Sequence, residues 1–205
     1  MTSYQDAAYA QSYASFVTGV KSEEERLGQK SLLLTESVAR YLFKLMAYKD
    51  EYEVARLHTD PAFHAKIKSM FEGDYKLNYH LAPPLIAKRN AKGELQKSKF
   101  GPSTLLAFRL LAKLKGLRGG TFDVFGHSIE RRSERALIDE YKASMTGLLK
   151  TLSLSNHGLA VEIARIPEMI KGYGHVKERN LVAARLKWAA LQADFANPAV
   201  AQRAA

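Results

Sequence analysis

Apolar residues recur at three- and four-residue steps along most of this chain, which commits it to helices that each bury one face. From Ser31, the series Leu34, Val38, Leu42, Leu45 and Met46 runs on through Tyr52 and Arg56 to Leu57, and Pro61 stops it. The spacing predicts one long helix there, about 25 residues at ~1.5 Å each. Ahead of it, Tyr9, Tyr13, Phe16, Val17 and Val20 mark a shorter helix ended by the acid-rich Ser22-Glu23-Glu24-Glu25 and Gly28. Phe63, Ile67, Met70 and Phe71 mark another.

Period two replaces this spacing in the middle. Residues 75–81 alternate, and 95–100 can pair with them as a hairpin across Pro83-Pro84 and Asn90-Ala91-Lys92-Gly93. Helical spacing then resumes, with Leu106, Leu110, Leu114 and Leu117 on one stripe and Gly116 as a C-terminal cap. Ser128 caps a helix whose stripe is Leu137, Tyr141, Met145, Leu148 and Leu152. Leu159, Ile163 and Ile166 form a short helix stopped at Pro167, and Leu181, Trp188, Leu191 and Phe195 share one face of a last helix from about His175. The expected fold is mainly α, a single helical domain over 1–197 with a small β-hairpin in mid-chain and a frayed tail at 198–205.

Composition narrows the chemistry. With no cysteine among 205 residues, the chain supplies no disulfide, thiol nucleophile, Cys-ligated zinc or iron–sulfur cluster. No basic-then-apolar leader and no run of about 18 apolar residues occurs, so the expected setting is cytoplasmic, with no membrane partner. The six histidines are scattered, with His58 and His64 on different faces of any helix, and no metal site is expected. Hydrolase and nucleotide-binding glycine motifs are absent.

Charge is concentrated. Between Lys88 and Arg118 stand nine basic residues and one acid, Glu94, which is +8 of the total +10. Lys97, Lys99, Arg109, Lys113, Lys115 and Arg118 are the candidate residues for docking an anionic partner, and a solvated face is the bland alternative. No helix-turn-helix, RNA-binding aromatic motif or zinc-finger spacing accompanies them, so nucleic acid is not the expected partner. A free-standing nucleic-acid- or anion-binding protein is the competing reading.

Three polar clusters stand apart from these. They are residues 48–53 with Arg56, residues 130–135, and Tyr173, His175, Lys177, Glu178 and Arg179 at the head of the last helix. Lys49 and Glu53, and Glu53 and Arg56, are spaced to share a helix face. Tyr48, Glu53, Arg56, Arg131, Glu134, His175 and Lys177 are expected to form a polar network joining helices. An autonomous active site built on Glu53, His80, His175 and Lys177 is the alternative, but no spacing a reaction demands accompanies them. No catalytic residue is assigned.

Residues 41–57 (YLFKLMAYKDEYEVARL), 71–77 (FEGDYKL), 80–84 (HLAPP), 100–102 (FGP), 114–119 (LKGLRG), 130–138 (ERRSERALI) and 172–180 (GYGHVKERN) resemble the C-terminal region of the fused bacterial indolepyruvate ferredoxin oxidoreductases. The opening residues 4–10 (YQDAAYA) resemble the point where that region begins. The resemblance implies a parent enzyme that oxidatively decarboxylates arylpyruvates to acyl-CoA. That enzyme uses thiamine diphosphate with magnesium, iron–sulfur clusters, coenzyme A as substrate and ferredoxin as acceptor. It implies the upstream catalytic domains as partners, ferredoxin as a further one, and a homo-oligomeric parent. The chain lacks the cluster cysteines and the thiamine-binding segment, so the resemblance implies no cofactor here and a structural or docking role.

Overall fold

The computed structural model describes residues 1–28, 30–82, 87–88, 90, 96–172 and 174–197. Eight α-helices and one two-stranded antiparallel sheet make up the regular structure of these residues, so the fold is mainly α with a small hairpin. The expected frayed tail and the Pro83-Pro84 and Ala91-Lys92-Gly93 turns fall outside the described residues. Two compact units are distinguished, Met1–Tyr48 with Arg132–Ala205, and Lys49–Arg131.

The first unit is a helical core. α1 (Ala7–Glu25) starts at Asp6, whose carboxylate accepts the Tyr9 N–H at 2.7 Å. Gly28 turns the chain with φ +72°, a left-handed conformation that glycine adopts without steric cost. α2 (Leu33–Met46) follows, and its first residues offer no side-chain cap of their own. α6 (Ile129–Leu149) begins where Ser128 Oγ accepts the Arg131 N–H. α7 (His157–Arg165) passes into a 3-10 turn at Ile166–Met169, and α8 (Gly174–Ala196) closes the described chain. α2 packs on α1 and α7, and α7 on α8. Val20, Leu34, Val38, Leu42 and Met46 meet Leu137, Tyr141, Met145, Ile163 and Trp188 in one core.

Tyr141 lies fully buried in that core, and its hydroxyl donates to the Ala164 carbonyl at 2.8 Å. Burial raises its pKa, with Tyr41 adding to the effect, so it stays a donor. Tyr141→Phe deletes one buried hydrogen bond at nearly constant volume. Stability is expected to fall by about 1 kcal/mol, read from urea unfolding followed by Trp188 fluorescence; an unchanged midpoint would show the bond idle.

The second unit is built on α3 (Glu51–His58) and α5 (Thr104–Lys113), which pack together. α4 (Pro61–Lys68) is capped by Asp60, with proline at its first position. The hairpin pairs β1 (Tyr79–Leu81) with β2 (Ser98–Phe100), placing Tyr79 opposite Phe100 and Leu81 opposite Ser98. Ala55, Tyr79 and Phe108 form its buried centre.

Three expectations are corrected. The long helix from Ser31 to Leu57 is two: α2 ends at Met46, and Asp50 starts α3 by accepting the Glu53 N–H at 2.8 Å. The stripe Leu106, Leu110 and Leu114 is exposed, because α5 buries its opposite side through Phe108. Gly116 does not cap α5: a 3-10 turn at Leu114–Leu117 extends the helix, and the left-handed glycine is Gly119, φ +74°.

Candidate functional site

Asp50 and Arg118 centre a buried polar cluster of the second unit. Their side chains are each 3% exposed, and Arg118 donates through Nε at 2.5 Å and Nη2 at 2.9 Å to the two carboxylate oxygens of Asp50. That fork-on-carboxylate geometry is the strongest form of the pair. The same guanidinium lies 5.6 Å from the centre of the Tyr52 ring. Tyr52 in turn donates its hydroxyl to Asp123 at 3.1 Å and meets Phe125 edge-on. Asp123 accepts the backbone N–H groups of Gly119, Phe125 and Gly126, which folds the loop after α5 around one carboxylate. Burial raises the Tyr52 pKa most, with Asp123 and then Asp50 adding to it and Arg118 opposing. These groups are thus joined to one another in a single cluster.

Arg118 was expected among the docking residues; it is instead the buried partner of Asp50. Lys97, Lys99, Arg109 and Lys113 are exposed and Lys115 is half-buried. The basic strip is thus carried by β2, the residues before it, and α5.

The expected polar network resolves into pairs within each unit. Arg56 grips Glu53 through Nε at 2.8 Å and Nη2 at 2.7 Å, and this hydrogen bonding raises the Arg56 pKa. Arg131 Nε stands 3.5 Å from Glu51. Lys49 precedes α3 and is exposed, so it does not share a face with Glu53. In the first unit Lys177 of α8 pairs with the buried Glu134 of α6. Tyr48 packs edge-on against Tyr4, and its carbonyl accepts the Tyr4 hydroxyl at 3.0 Å. His80 and His175 are exposed, and Tyr173 lies outside the described residues. His58 is half-buried and stacked on Phe108 with ring centres 5.3 Å apart. Burial first, and then His64, lowers its pKa. No group of three or more ligating side chains poised for a metal occurs among the described residues.

Two features were missed in the sequence. Glu24, fully buried, accepts the N–H groups of Leu34 and Thr35 at 2.8 and 2.7 Å, the Thr35 hydroxyl at 2.6 Å, and a hydrogen bond with His157 Nε2 at 2.6 Å. It supplies from α1 the cap that α2 lacks. The other is a cleft of ≈ 280 Å3 lined by Glu36, Ser37, Arg40, Tyr41, Arg165 and Glu168. Its walls are already joined, Tyr41 donating to Glu168 at 2.8 Å and Arg165 to Ser37 at 3.3 Å. It brings together no nucleophile and base in the arrangement of a catalytic pair.

The chain belongs to DUF6537, a family of unknown function, whose pattern matches residues 1–190. No curated protein and no solved structure matches it. No described helix is long and apolar enough to cross a membrane.

Proposed function

We propose that this chain is a non-catalytic structural or docking domain of an indolepyruvate:ferredoxin oxidoreductase, a cytoplasmic enzyme that oxidatively decarboxylates arylpyruvates to acyl-CoA. Thiamine diphosphate, magnesium and the iron–sulfur clusters belong to other parts of that enzyme, where coenzyme A and ferredoxin react. The observation that carries the reading is the fate of the polar strings that resemble the family. Asp50, Glu53, Arg56 and Arg118 are spent on pairs inside one unit, and Glu134 and Lys177 on a pair inside the other. Such side chains brace a scaffold and leave the catalytic work to its partners.

The test is turnover of the whole enzyme carrying Glu53→Gln or Lys177→Met. Ferredoxin reduction per folded enzyme is expected to stay within about twofold of the unsubstituted enzyme while the melting temperature falls, since each change breaks an ion pair of a part-buried side chain. A loss of about 100-fold or more at unchanged melting temperature, the scale of general acid–base catalysis, would place an active site here.

A further inference from the structure

α5 is apolar on two opposite sides. Phe108, Leu111 and Ala112 belong to the centre of the second unit, where α5 packs on α3. Leu106 and Leu110, one turn apart and continued by Leu114, face away and are 67, 64 and 41% exposed. Large apolar side chains gathered on one exposed helix side are the mark of a contact surface. Arg109 and Lys113, each three residues beyond a stripe leucine, lie on the same outer side and are exposed. Neither enters any described hydrogen bond or ion pair, and the same holds for Lys99 on β2.

We infer that the outer face of α5 docks an acidic protein, with an apolar centre seated on Leu106, Leu110 and Leu114 and carboxylates opposite Arg109, Lys113 and Lys99. The charge selects this occupant. Two copies meeting by the same face across a two-fold axis bring these cations against their own equivalents, which repels. Nucleic acid engages the cations and leaves the leucines in water. An acidic surface with an apolar middle satisfies both, the anatomy of a specific protein interface. This inference rests on the docking role proposed above and names its surface.

The experiment places a photoreactive side chain at position 110 of the full chain, irradiates the producing cells, and identifies the cross-linked product by mass spectrometry. The expected product is an acidic protein. In its purified form that protein should bind the chain about tenfold or more weakly after Leu110→Asp, with Leu106→Ser as the milder second variant. The Arg109→Glu/Lys113→Glu pair should weaken binding and flatten its salt dependence. Circular dichroism confirms that each variant is folded. A cross-link only to a second copy, to RNA or to a basic protein would overturn the inference, as would affinity unmoved by all the substitutions. So would binding to phosphatidylserine vesicles with no protein product. An acidic partner unrelated to 2-oxoacid oxidation would keep the surface and discard the parent enzyme. The upstream catalytic domains in frame with this chain, with no protein cross-linked at position 110, would do the reverse.

Discussion

Replacing Asp50 by alanine is expected to cost about 3–5 kcal/mol, the range for removing one partner from a buried ion pair. The loss has two sources. Arg118, 3% exposed and fully charged, loses the carboxylate that receives its Nε and Nη2 donors. α3 also loses the side chain that accepts the Glu53 N–H and fixes where the helix begins. Because the guanidinium sits by Tyr52, whose hydroxyl holds Asp123, the disturbance should spread into the loop at 119–126. Amide hydrogen exchange in α3 and in that loop is the direct readout, with protection falling in both. The double variant Asp50→Ala/Arg118→Met removes the charge with its partner while leaving the cap deleted, and should recover the share of the loss owed to the stranded charge. If the double variant is as unstable as Asp50→Ala, the cost lies in the cap and packing and not in the stranded charge.

Glu24→Ala is expected to cost a similar amount, about 3–5 kcal/mol, because several buried donors lose one acceptor together. The pH dependence is distinctive. Burial pushes the Glu24 pKa up, but the hydrogen bonds from the Thr35 hydroxyl, His157 and the N–H groups of Thr35 and Leu34 outweigh it and leave the carboxyl below its usual value. A carboxyl depressed in the folded state contributes stability that is present above the ordinary glutamate pKa of about 4.3. That contribution is lost as pH falls through the depressed value. Glu24→Gln keeps the shape without the ionisation, so its unfolding midpoint, read by Trp188 fluorescence, should be lower at pH 7 and fall less steeply towards pH 3. A variant with the same acid slope as the natural chain would show that Glu24 is not its source.

Helical periodicity located most of the fold because side-chain burial on one face is a local property. Leu137, Tyr141, Met145 and Leu148 do line the core along α6, and Trp188 and Phe195 do so along α8. The hairpin was legible from alternation for the same reason. The break after Met46 was hidden by apolar spacing that continues across it. The sign lay in Asp50 followed three residues later by Glu53, the pattern of a helix start. Spacing also showed that Leu106, Leu110 and Leu114 share a side of α5, but not which of its two apolar sides meets α3.

The candidate site was less legible, because pairs distant in sequence leave no periodic trace. Arg118 counted as one cation of a basic run until Asp50, 68 residues away, received it. Glu24 read as a helix-ending acid, and His157, 133 residues on, as one of six scattered histidines. What the sequence did carry was residue type, and the partners of Asp50, Glu53 and Glu134 came from the fold.

The most direct test of the proposed role is to read the coding DNA in frame upstream of Met1. The account predicts an open frame that runs into a thiamine-diphosphate-binding segment and cysteine-rich cluster motifs. A stop codon immediately upstream, with no such sequence joined to this chain, would contradict it.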